Sequence, residues 1–213
     1  MAAKRTRAER AGISREQVLD AALAFADRDG LAALSMRKLG AELGVEAMTL
    51  YHYVPNKDAL LDGMVERVMS QADAGFADGP WSTALADYAR ALRKALLAHP
   101  GALPLVATRP AVTPATLRTA ERGLAMLVQA GFELGPALDA LNSLTLFVVA
   151  HANSEARIGP VNEAGDPGSV DFLKTLDEQE FPLIIRAAKT GVGTDDQARF
   201  EYAIAALIRG FGC

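Results

Sequence analysis

The chain has 213 residues, half of them hydrophobic and 23% charged, with a net charge of −4. That balance suffices for one or two buried cores and excludes a disordered or low-complexity chain. The single cysteine, Cys213, excludes an intrachain disulfide framework and suits a reducing cytoplasm; no signal-peptide core follows the basic N-terminus and no apolar run approaches a membrane span of roughly 20 residues, so a soluble cytoplasmic protein with no membrane partner is expected.

Charge is unevenly spread. Lys4, Arg5, Arg7 and Arg10 face only Glu9 within the first ten residues, whereas the part beyond residue 60 is net acidic. Residues 1–13 therefore read either as a basic arm for phosphate or the minor groove, or as a solubilising terminus. Ser14 and Gln17 form a capping box for a first helix to about Arg28, with Val18, Leu19, Ala22, Leu23 and Phe25 inward. Ser35 caps a short second helix on which Met36, Leu39 and Leu43 repeat at helical spacing, and Gly44 ends it. A third helix is predicted from about Glu46 to Tyr53, stopped by Pro55. Asn56 opens a fourth, with Leu60, Leu61, Met64, Val65, Val68 and Met69 on one stripe, continuing to about residue 75. Two short helices across a Gly-containing turn make a helix-turn-helix, whose second helix can enter the major groove of DNA. DNA binding is the reading.

Beyond the break at Gly79-Pro80, helices are expected at about 81–98, 113–130, 135–157, 178–190 and 195–210, with a helical turn at 101–107 and a loop at 158–176. The fold class is all-α. A DNA-binding unit at 14–60 is followed by a regulatory and dimerisation region at 61–213. Near the end, one helix carries Leu138, Leu141, Thr145, Val148 and Ala152, and another carries Phe200, Ala203, Ile204, Leu207, Ile208 and Phe211. The last is apolar over more than one stripe and needs cover on two sides. A second copy forming a four-helix bundle would provide it, as would a wholly monomeric core; a homodimer suits a palindromic site.

The run from SREQVLDAALAFADRDGL through LGV and TLYHYV to NKDALLDGMVERV, about a quarter of the chain, resembles the DNA-binding domain of TetR-family transcriptional regulators. Trp81, LLAHPGALPLVATRP and LAMLVQAGFELGPALDALNSL resemble the tetracycline-repressor subgroup more weakly. The resemblance implies that Arg37 reaches a guanine, for which its planar fork is suited, although a phosphate contact is the alternative. Ser35 and His52 fall in the expected DNA-facing set. Thr49, Tyr53 and Lys57 are expected at phosphates, Lys57 with the positive end of its helix. Tyr51 is expected half in the core with its hydroxyl outside. Ala47 and Met48 stand where the tetracycline repressors have Gln-Pro, so a different base code is expected.

The resemblance also implies a small-molecule site in the C-terminal region, with Tyr88, Leu92, Leu105, Thr108, Met126, Phe147 and His151 as candidate walls. Leu105 and Ser154 stand where the tetracycline repressors hold a drug-bound magnesium through histidine and glutamate. No metal and no cofactor are expected, and the effector reads as a small apolar or aromatic molecule. Phosphate loops, HExxH and GxSxG are absent from the sequence, so no catalytic residue is assigned. A repressor released from a palindromic operator is the leading reading; an activator or dual regulator would use the same contacts.

Overall fold

The computed structural model describes residues 12–72, 76, 79–157, 169–193 and 195–212. Every regular element among the described residues is helical. The basic arm and Cys213 lie outside them, apart from Gly12 and Ile13 at the arm's end.

Helix α1 (Arg15–Asp29) opens on the predicted capping box. The Gln17 N–H donates to the Ser14 hydroxyl at 3.2 Å, and the Ser14 N–H donates to the Gln17 side chain at 2.7 Å. After a 3₁₀ turn at Leu31–Ala33, helix α2 (Met36–Glu42) starts where Ser35 accepts from the Lys38 N–H, a cap worth about 1 kcal/mol. Gly44, at φ 67°, turns the chain, and the Val45 N–H reaches back to the Gly40 carbonyl at 2.8 Å. Gly40 permits that approach, because a Cβ there would lie 2.8 Å from the Val45 oxygen. Helix α3 (Ala47–Leu50) is shorter than the span to Tyr53 that the sequence suggests. The Tyr53 and Val54 N–H groups both converge on the Leu50 carbonyl in a tight turn, since Pro55 disfavours helix at the residue before it. Helix α4 (Lys57–Ser70), capped by Asn56, ends before the expected residue 75; its last hydroxyl, on Ser70, turns back to the Arg67 carbonyl.

The C-terminal region comprises α5 (Trp81–Ala98), a 3₁₀ turn at Pro100–Ala102, α6 (Leu103–Thr108), α7 (Pro114–Gln129), α8 (Leu134–Arg157), α9 (Val170–Lys174), α10 (Pro182–Thr190) and α11 (Asp196–Phe211). Two expectations need correction. Within the loop expected at 158–176, residues 158–168 lie outside the described ones, but α9 forms after Ser169 caps the Phe172 N–H. The helix expected from 178 begins only at Pro182, because Asp177 accepts from the Gln179 N–H through its side chain and from the Phe181 N–H through its carbonyl. Proline then suits the first helical position.

α5 packs on α8, α11 packs on both, and α7 bridges α8 and α4. One continuous apolar core runs from Val18 in α1 to Ile208 in α11. Residues Leu134–Ala156 of α8 are long and apolar enough to cross a membrane by length and composition, contrary to the expectation that no run reaches that length. Leu141, Leu144, Val148 and Ala152 of that helix are instead buried in the core.

The helix-turn-helix unit and the body meet at the C-terminal turn of α1. Asp27 accepts from the Gly101 N–H at 2.8 Å and lies 2.9 Å from His99 Nδ1. Gly101 packs so tightly on that turn that a side chain has no room. On the other flank Arg109, just after α6, reaches Asp62 at 2.9 Å and Asp58 at 3.2 Å, both on α4. These contacts fix the pose of the helix-turn-helix on the body.

Candidate nucleic-acid interface and internal cavity

Around the helix-turn-helix, the arginines of α1 and α4 are held in ion pairs. Arg28 forks onto Glu42 and Asp29, Arg15 meets Glu66, and Arg67 meets Asp20. Lys38 lies over the Phe25 ring. Arg37 and Lys57 are different: both are exposed and neither has a partner among the described residues. Lys57 is the first residue of α4, where unpaired N–H groups and the helix dipole attract anions. Two uncommitted cations therefore flank the second helix of the motif.

Around α3 the side chains sort by burial. Leu39 and Leu50 are fully buried and Leu43 is half-buried, so they hold the motif together. Met48 is 69% exposed and presents a flexible apolar tip, a group suited to a thymine methyl in the major groove. Ala47 is half-buried beside it, while Tyr51 and His52 are exposed. Thr49, beside Leu50 on the single turn of α3, is 8% exposed, less open than its neighbours Met48 and Tyr51. Tyr53 is half-buried and packs against the core. Ser35 is occupied as the cap of α2.

Behind this surface lies a cavity of about 150 Å³ between α4, α5, α7 and α8. Met69, Phe76, Tyr88 and Leu141 supply its apolar wall, with Phe76 and Tyr88 stacked at 4.7 Å. Thr116, Thr119, Asn142 and Thr145 supply the polar atoms, alongside Ala111 and Ala120. Burial pushes the Tyr88 phenol above its ordinary pKa.

Of the wall candidates named from sequence, Tyr88 alone lines this cavity. Leu92 and Leu105 are buried in the core, Met126 is half-buried against it, and the Thr108 hydroxyl donates to the Pro104 carbonyl. Ser154 is exposed on α8. His151 lies between the Phe147 and Phe200 rings, with Nε2 3.8 Å from Glu155. Phe147 lines a separate open groove on the outer face of α8 and α11, with Tyr202, Ala206, Leu207 and Phe211. The sequence signal that could have found the cavity was the pair Thr116 and Thr119 on an otherwise apolar side of α7, opposite Thr145.

A short helix-turn-helix bearing two free cations, seated on a larger helical body with an internal cavity, defines the class of DNA readers that carry a separate regulatory region. Residues 18–64 match the family described as bacterial regulatory proteins, tetR family, and residues 76–212 match the tetracyclin repressor-like C-terminal domain. The chain belongs to the TetR family of DNA-binding transcriptional regulators. It is 32% identical over 200 residues to the tetracycline repressor protein class A from transposon 1721 of Escherichia coli, spanning 91% of this chain and 88% of that protein. It is 34% identical over 190 residues to the HTH-type transcriptional repressor DrrR1 of Streptomyces coeruleorubidus, spanning 84% and 70%. Among solved structures, apo ActR from Streptomyces coelicolor superposes with a TM-score of 0.79 at 28% identity, over 93% of this chain and 94% of that one. ActR in complex with actinorhodin gives a TM-score of 0.74 at 27% identity, over 93% and 96%.

Proposed function

We propose that this chain is a cytoplasmic transcriptional repressor that holds a palindromic operator as a homodimer and releases it when a small organic effector enters the internal cavity. Residues 14–60 read the DNA, residues 1–13 reach along it, and residues 61–213 bind effector and partner. Arg37, Met48, Tyr51 and His52 face bases, and Lys57 faces phosphate. The outer groove of α8 and α11 seats the same groove of a second copy, an isologous contact that places two readers on a two-fold axis.

One observation carries the reading: the cavity and the free cations are joined by a short rigid path. Ala111 lines the cavity; two positions earlier, Arg109 grips Asp62 and Asp58; and Asp58 directly follows Lys57. An effector that displaces the α6–α7 connection pulls on the helix that carries the phosphate contact. Release requires the effector to bind the displaced state more tightly than the DNA-bound one. The relatives named as repressors, and the relative that binds an organic molecule, support both halves of the proposal.

Footprinting on the DNA upstream of the coding region tests the DNA half. Two symmetric protected half-sites about one helical turn, or a multiple of it, apart are expected; a single asymmetric half-site would refute the dimeric reader. Transcription from that DNA should fall as the protein is added, and a rise would refute repression.

A further inference from the structure

The direction of each hydrogen bond around the cavity determines what it can accept. A threonine hydroxyl has one proton to give. Thr145 gives its proton to the Leu141 carbonyl at 2.8 Å, and Thr116 gives its own to the Ala111 carbonyl at 2.7 Å. The contact of 3.2 Å between the Tyr88 and Thr145 hydroxyls must then run from Tyr88 to Thr145. The hydroxyl protons are committed inside the protein, and what remains towards the cavity is oxygen lone pairs. Asn142 is the exception: its amide has no partner among the described residues and can both donate and accept.

Among the described residues, no Asp, Glu, Lys, Arg or His lines the cavity, so none of them offers an ionised ligand a counter-ion. Nor do any three of His, Cys, Asp and Glu come together to hold a metal among the described residues. The stacked Phe76 and Tyr88 rings and the Met69 thioether give a flat, polarisable surface suited to another ring. A volume of about 150 Å³ matches a single benzene-sized ring.

We infer that the cavity takes an uncharged hydroxylated aromatic ring, a phenol-type group that donates a hydrogen bond to Tyr88 or Thr116 and needs no metal ion. This rests on the cavity being the effector site and specifies which chemistry it selects. The phenol proton meets a lone pair of Tyr88 or Thr116, and a second oxygen on the ring meets the Asn142 amide. Away from Asn142, a ring with only acceptors would face oxygen with oxygen.

The test is calorimetric titration of the full chain with three probes of similar size: phenol, which donates; benzaldehyde, which only accepts; and toluene, which does neither. Phenol should bind at least about tenfold more tightly than either of the others, because a site that pairs a hydroxyl leaves polar groups unpaired when the hydroxyl is missing. A chelator should change nothing. Thr145→Val removes the acceptor for the Tyr88 proton and frees that proton for the ligand, so benzaldehyde should gain about tenfold relative to phenol. The ranking in the unmodified protein stands even if that variant folds poorly. Equal or tighter binding of toluene or benzaldehyde would overturn the donor-ligand inference while leaving the cavity as the site. Loss of phenol binding on chelation would overturn its metal independence. Ala120→Leu narrows the cavity; phenol binding that survives it undiminished, or no binding of any probe by the unmodified protein, would overturn the effector-site reading itself.

Discussion

Gly101→Ala is the sharpest perturbation of the contact between the DNA reader and the body. Gly101 lies in the 3₁₀ turn before α6, and its N–H donates to Asp27 at 2.8 Å. A Cβ at this position would fall well inside the Ala26 carbonyl group and 2.6 Å from the Asp27 nitrogen. These are backbone atoms at the end of α1, so no rotamer change relieves the clash. The turn must lift off by roughly 1 Å or more, in the regime where overpacking reaches about 3 kcal/mol. Lifting also stretches the bond to the Asp27 carboxylate. For a chain of this size that loss lowers the Tm by about 6–12 °C. Gly135→Ala is the control, because nothing lies within 4 Å of a Cβ there and its φ is not in the left-handed range; its Tm should stay level or rise slightly. Differential scanning fluorimetry reads the stability, and fluorescence anisotropy with operator DNA reads the affinity, which should weaken as the reader loses its pose. A Gly101→Ala protein that melts within about 1 °C of the parent and binds DNA equally well would refute the account of this contact.

Three further outcomes are expected. Arg37→Ala should weaken specific binding by roughly 1–3 kcal/mol with less effect on random DNA, whereas Lys57→Ala should weaken both alike and reduce the salt slope by about one; equal losses for Arg37→Ala would make it a phosphate contact. Tyr202, 75% exposed on α11, and Leu146, 70% exposed on α8, lie outside the protomer core, so Tyr202→Glu with Leu146→Glu should yield folded monomers in sedimentation, while Ile204→Glu, at a position only 1% exposed, should unfold the chain; a double variant that remains dimeric would move the interface elsewhere. The raised pKa of the buried Tyr88 means that the folded state keeps its proton above pH 10 while the unfolded chain loses it, so stability contributed by this group falls as pH rises through the ordinary phenol range towards the raised value. Tyr88→Phe should flatten that alkaline decline in Tm, and an unchanged decline would assign it to other groups.

The reader was legible because its signals are local. A capping box, a left-handed glycine and apolar residues at helical spacing are all written within a few positions, and Ser14, Gly44 and Leu50 fall where those rules place them. The extent of α3 was overread because it is a single turn, and on so short an element the periodicity is too brief to fix where the helix ends. The cavity was illegible for another reason: its wall is assembled from four helices and two connections, and each contributes one to three residues that look ordinary alone. Leu141 and Thr145 read as part of a partner-facing stripe on α8, yet both turn towards Tyr88 and the cavity. Neither Asp27 nor Gly101 carries a sequence signal for their contact, since 74 positions separate them and only the fold brings them together.

The internal pairing of the reader's charges sets how this regulator searches a genome. Affinity for arbitrary DNA comes almost wholly from phosphate contacts, and each one adds about 0.9 to the salt slope. Arg15 is paired with Glu66, Arg28 with Glu42 and Arg67 with Asp20, which leaves Arg37 and Lys57 as the unpaired cations flanking α3 among the described residues. With Arg37 on a base, Lys57 adds about 0.9 to that slope, and the basic residues 1–13, reaching along the DNA, add the rest. Non-specific hold and sequence reading then fall to different parts of the chain: the arm grips any duplex, and the folded face of the motif is left to discriminate between sequences.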